Sequence, residues 1–148
     1  MSARGFHAHA PGWLARARRC PSPNHDRRPA TAVDTVVIHF ISLPPGRFGL
    51  RPVEAFFCNR LDVRAHPSLA ELEGVRVSSH LLIGRRGELV QFVSCDDRAW
   101  HAGVSSLLGR PGCNDFSIGI ELVGDERHRF TERQYARLST TVATLRRR

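Results

Sequence analysis

Residues 35–45, TVVIHFISLPP, decide how this chain reads. Residues 35–40 form an apolar run broken by one imidazole, His39, and the stretch closes on a Pro-Pro turn. Its length and β-branched content suit a strand. Because it is continuous rather than alternating, the run predicts a central strand covered on both faces. A histidine where such a strand leaves the core is either a core residue with a hydrogen-bonded ring or a metal ligand at the strand's end.

A second strand sharpens the choice. Residues 117–122, SIGIEL, alternate, so Ile118, Ile120 and Leu122 face one way and Ser117, Gly119 and Glu121 the other. A carboxylate on the inner part of a sheet is costly unless it is paired or functional. Gly119 beside it leaves room for something to approach. A histidine and a glutamate near the ends of two strands can share one site. There the imidazole binds a metal, and the carboxylate carries a proton from metal-bound water to a leaving nitrogen.

The remaining chain organises around these two strands. Residues 1–32 read as irregular, with PSPNHDRRP an extended, turn-rich tether. Residues 53–61 have helical periodicity, and 62–74 read as a loop. Residues 77–83 and 88–94 flank GRRG and predict a β-hairpin. WHAGVSSLLGRPGCND is turn-rich. Residues 131–147 predict a helix with a Thr131/Gln134 capping box and an apolar stripe of Tyr135, Leu138, Val142 and Leu145. That helix stops on Arg146, Arg147 and Arg148 without a C-cap, which points to a missing C-terminal segment. The expected fold class is α/β: a mixed central β-sheet flanked by helices, over an irregular segment at 1–32 and one incomplete domain at 33–148.

With 148 residues, 41% hydrophobic and 24% charged, the chain is long enough for one soluble domain with a real core. No apolar run approaches the ~20 residues that span a bilayer, which argues against membrane insertion. The N-terminal residues lack an apolar h-region, so a cytoplasmic location is expected. Cys20, Cys58, Cys95 and Cys113 show no C-x-x-C spacing, and reduced thiols are the default. The net charge of +8 invites a nucleic-acid reading. However, all 22 basic residues are arginine and most are scattered, which reads as a coding bias and a solvated basic surface. No nucleic-acid partner is expected, and the oligomeric state is left open.

Two further features carry chemistry. RAWHAGVSS, residues 98–106, places Trp100 and His101 ahead of Ala-Gly. This is either a lip for a polar, partly apolar ligand such as a sugar-peptide or a loop anchored by a packed Trp100. His80 alternates on the hairpin and faces either the same cleft or solvent; a structural role is the simpler reading.

Taken in order, RRCPSPNHDRRP, VVIHFISLPPGRFG, VRVSSHLLIGRRGELVQFV, RAWHAGVS and GRPGCNDFSIGIEL closely resemble the cytosolic N-acetyl-anhydromuramyl-L-alanine amidases of the AmpD type. These belong to the zinc-dependent N-acetylmuramoyl-L-alanine amidases, a class that includes phage lysozyme-type amidases and peptidoglycan recognition proteins. The resemblance implies hydrolysis of the amide between the muramyl lactyl group and L-alanine in recycled cell-wall fragments. Carried over by position, His39 matches a zinc ligand and Glu121 the acid/base glutamate. Arg76, Trp100, His101 and Asn114 fall in segments that shape the substrate cleft. Phe40 stands where such enzymes usually have Asn, which would remove a polar group beside the metal. The family's other two zinc ligands, a histidine and an aspartate, belong to a C-terminal motif that these 148 residues do not include. The resemblance therefore implies a Zn2+ site incomplete in this chain and impaired activity. The alternative is a non-catalytic module that binds muramyl peptides.

Overall fold

The structure is a computed structural model that describes residues 11–147. Positions 1–10 of the segment expected to be irregular, and Arg148, lie outside the described residues. In chain order the strands are β1 (Arg18–Arg19), β2 (His25–Arg27), β3 (Thr35–Ile41), β4 (Leu81–Ile83), β5 (Leu89–Gln91), β6 (Asp97–Ala99), β7 (Ser106–Leu107), β8 (Arg110–Pro111) and β9 (Ser117–Val123). The helices are α1 (Leu50–Phe57), α2 (Cys113–Phe116) and α3 (Glu132–Leu145). Short 3-10 turns at Val63–Ala65 and Pro67–Leu72 occupy the stretch expected to be a loop.

Five strands build a mixed sheet in the order β1-β5-β4-β9-β3. Strand β9 runs parallel to both β4 and β3, β1 runs parallel to β5, and β4 and β5 are antiparallel. Helix α1 contributes Val53, Phe56 and Phe57 to a core on one face, with Leu82, Val90, Phe92 and Val123. Helix α3 lays Leu138, Val142 and Leu145 on the other face, against Leu81, Ile83, Ile118, Ile120 and Leu122. The expected mixed sheet with flanking helices is therefore present.

Several details differ from the sequence reading. Among the described strands β3 is an edge, not the centre. Its apolar run serves two differently covered faces. On the α3 side Ile38 and Phe40 remain 49% and 52% exposed. Alternation puts Phe40 on the opposite face from His39, so the aromatic ring does not stand beside that imidazole. Helix α1 begins three residues earlier than its periodicity indicates, because Pro52 falls in the first turn, where a missing N–H breaks no helical bond. It ends at Phe57 with Cys58 as its C-cap, followed by Asn59 in the left-handed region at φ 57°.

The hairpin forms as expected but pairs over only three residues per strand, closed by Gly87 at φ 83°. Residues 18–27 are more than a tether: β1 adds to the sheet and β2 pairs with β6. Asn24 fastens this segment by donating to the Phe57 and Val77 carbonyls.

The capping box on α3 is present in both directions. The stripe departs at one position, since Tyr135 is 52% exposed while Gln134 is wholly buried. The Gln134 carboxamide nitrogen donates to the Val123 carbonyl at 2.8 Å and the Ile83 carbonyl at 3.4 Å, and its oxygen accepts the Thr131 N–H at 3.0 Å. It thus serves two strand ends and the helix start at once. Gln134→Ala leaves these buried groups unpaired and is expected to lower unfolding stability by about 2–3 kcal/mol, measured by denaturant titration.

Candidate active site

The parallel register of β3 and β9 sets His39 directly opposite Glu121, and the β9–β4 register sets Glu121 opposite Leu82. Residues opposed in register point to the same face. His39, Glu121 and Leu82 therefore line up across the sheet on the α1 side. The sequence expectation that Ser117, Gly119 and Glu121 share a face away from Ile118, Ile120 and Leu122 is met: the three isoleucine and leucine side chains lie in the α3-side core.

Glu121 is 8% exposed, and its Oε2 is buried without a hydrogen-bond partner. Burial pushes its carboxyl up from the ordinary 4.5 to about 7. A carboxyl that exchanges its proton near neutrality suits general acid–base work. Burial also holds the half-buried His39 below the usual imidazole value.

The space beside Gly119 is filled from within the molecule. The ring of His101 packs on it so closely that an added Cβ would collide with Cγ, Cδ2 and Nδ1. His101 Nδ1 lies 3.0 Å from His39 Nε2, and His101 Nε2 lies 3.2 Å from Ser117 Oγ. Burial first, then the neighbouring His39 and Arg28, depress His101 to about 3, so its ring is neutral at physiological pH. The His101 ring is therefore held in place on β9. It stands between β9 and the imidazole of β3.

Asn114 fixes the turn that carries His101. Its side-chain oxygen accepts the N–H groups of His101 at 3.1 Å and Ala102 at 2.9 Å. Arg28 ties that turn to the rest of the molecule, donating to the carbonyls of Asn114, Asp115 and Asp97. Arg98 reinforces it with a bidentate pair to Asp26 and a bond to Asp115, holding the Asp26 carboxyl below its usual range. Composition gave no hint of either arginine among 22 scattered ones. The signal was present in the pairing of β2 with β6, which sequence alone did not reveal.

The backbone of Trp100 is joined to Ser78 in both directions, and its side chain is partly buried. His80 is wholly buried. Its Nδ1 accepts the Gly119 N–H at 3.0 Å, and its Nε2 lies 3.1 Å from the Asp97 carbonyl and 3.0 Å from Arg28 Nη2. His80 thus bolts β9 to β6, the structural role. Arg76 is exposed, lies on the segment before β4, and borders a hollow with Phe56, Asn59 and Val63. It makes no hydrogen bond or ion pair with His39, His101 or Glu121 among the described residues.

A catalytic zinc takes about three protein ligands and a water. Among the described residues, no group of three or more His, Cys, Asp or Glu could hold a metal ion. His39 offers one imidazole, and the neighbouring His101 is already bonded to it. The described residues do not make a zinc site by themselves.

Residues 29–148 match the sequence profile of the family described as N-acetylmuramoyl-L-alanine amidase. The chain belongs to that family. It is 52% identical over 135 residues to the 1,6-anhydro-N-acetylmuramyl-L-alanine amidase AmpD of Escherichia coli (strain K12), a match covering 90% of this chain and 74% of that protein. The crystal structure of a selenomethionine derivative of AmpD superposes with a TM-score of 0.88 at 51% identity, covering 92% of this chain and 76% of that one. A Drosophila PGRP-LB mutant in complex with tracheal cytotoxin shares the fold at 18% identity and a TM-score of 0.57, covering 88% of this chain and 74% of that one. Among the described residues, no helix of this amidase is long and apolar enough to cross a membrane.

Proposed function

We propose that this amidase hydrolyses the amide between the muramyl lactyl group and L-alanine in anhydromuramyl peptides, a step of cell-wall recycling. The observation that carries the reading is Glu121: a buried carboxyl with an unpartnered oxygen, set in register opposite His39. The similarity to AmpD across nine-tenths of the chain supports the substrate class.

In this reading Glu121 takes a proton from the attacking water and returns it to the departing alanine nitrogen, working near its own value of about 7. Trp100 and His101 supply one wall of the substrate cleft, the His101 turn held by Asn114 and the Trp100 backbone by Ser78. Arg76 contributes an exposed guanidinium without an ion-pair partner among the described residues, suited to a carboxylate of the peptide. Zinc belongs to the proposal as the family's Lewis acid, with His39 as one ligand. The described residues do not complete its ligand set. A cytoplasmic location follows from the same reading, as the substrate is a recycled fragment.

The test is release of a free amine from anhydromuramyl tripeptide by the purified chain with zinc supplied. Turnover restricted to the lactyl–alanine bond is expected, at an impaired rate because the described residues do not complete the zinc ligand set. Saturable binding without turnover would overturn the proposal and leave a muramyl-peptide-binding module.

A further inference from the structure

Ser117, His101 and His39 form a hydrogen-bonded row whose direction the geometry fixes. Ser117 Oγ has one proton to give. It lies 2.5 Å from the Cys113 carbonyl and 3.2 Å from His101 Nε2. The carbonyl cannot donate and is much the closer partner, so the hydroxyl proton goes there. Ser117 Oγ then accepts, and His101 Nε2 is the nitrogen that carries hydrogen. A neutral imidazole with a protonated Nε2 has a bare Nδ1. His101 Nδ1 therefore accepts from His39 Nε2, 3.0 Å away. In its neutral form His39 is then left with its lone pair on Nδ1.

We propose that Ser117 and His101 are positioning residues that set the tautomer of His39, so that its Nδ1 lone pair, not Nε2, is presented to whatever binds in the site. Ser117 is fully buried, so no water competes for its oxygen. The His101 ring is held by four independent restraints: Asn114 on its backbone, the surface of Gly119 beneath it, Ser117 at one nitrogen and His39 at the other. By contrast, His101 Nδ1 is the sole hydrogen-bond partner of the His39 ring among the described residues. The orientation of His39 is inherited from the row, and a second-layer partner that fixes which imidazole nitrogen stays bare is a known way to ready a histidine for its task. The proposal deepens the reading of His39 as a functional residue, yet its test does not depend on amidase activity.

Side-chain nitrogen NMR of the 15N-labelled protein without added metal reads the tautomers directly. The wild-type protein should show the proton attached to His39 Nε2, with a trans-hydrogen-bond coupling to His101 Nδ1 and a bare, pyridine-like His39 Nδ1. In Ser117→Ala, the nitrogen shifts of both rings should move toward the averaged values of mixed tautomers, while the backbone spectrum stays that of the folded chain. Gly119→Ala reaches the same row by another route: its methyl group displaces the His101 ring and should abolish the coupling. A proton on His39 Nδ1 in the wild-type protein overturns the proposal. So do unchanged ring shifts in Ser117→Ala. The wild-type measurement decides even where a variant fails to fold. Absence of turnover with the tautomer as stated would count against the proposed function alone.

Discussion

Glu121→Gln should lower kcat/KM for anhydromuramyl tripeptide by about 10²–10⁴-fold and leave substrate affinity within a few-fold. Proton transfer by a positioned side chain typically contributes that factor. The substitution keeps the shape of the buried side chain and removes only its ability to take and return a proton. Because Glu121 Oε2 has no hydrogen-bond partner, no buried donor is orphaned by the change. Stability above neutral pH should be unchanged or higher, since a neutral amide replaces a carboxyl whose charged form burial disfavours. Loss of turnover with intact folding is the expected pattern. Turnover within a few-fold of wild type would remove Glu121 from the reaction.

The second large effect is acid destabilisation through His80. Burial depresses its imidazole from 6.5 to about 3; the hydrogen bond to the Asp97 carbonyl opposes the shift, and the nearby His101, Arg28 and His25 add to it by smaller amounts. The folded state thus prefers the neutral ring. Protons bind more readily to the unfolded chain between those values, so the stability conferred by neutral His80 is full above pH 6.5 and is lost as the pH falls toward 3. The loss is roughly 2 kcal/mol between pH 7 and 5 and on the order of 5 kcal/mol below both values. His101 acts in the same sense. Urea titrations across this range should show the decline, and His80→Gln should flatten its slope although it lowers stability at pH 7. A slope unchanged by that substitution would mean that His80 is not the group responsible.

Much of the site was legible in the sequence because period-two alternation is a strong local rule. Once 35–41 and 117–123 are strands, the sharing of a face by Glu121 with Ser117 and Gly119 follows from counting. The opposition of His39 and Glu121 needed the register, which local pattern does not carry. The edge position of β3 was missed for a related reason: a continuous apolar run looks the same whether its second face is covered or half open, as Ile38 and Phe40 are. The exposure of Tyr135 and burial of Gln134 reverse what hydrophobicity predicts, because two strand-end carbonyls needed a donor and the helix start needed an acceptor. The role of His101 was invisible for the same kind of reason. Its neighbours in space, His39, Ser117 and Gly119, are distant in sequence, and Gly119 signalled only that something would approach.

Hydrolysis in 18O-labelled water tests the central claim most directly. If the chain cleaves the lactyl–alanine amide by adding water, one 18O atom enters the lactyl carboxylate of the sugar product. The peptide then leaves unlabelled with a free alanine amine, which mass spectrometry of the two fragments reads at once. Label in the peptide fragment, cleavage at another bond, or intact substrate after prolonged incubation with zinc would contradict the account.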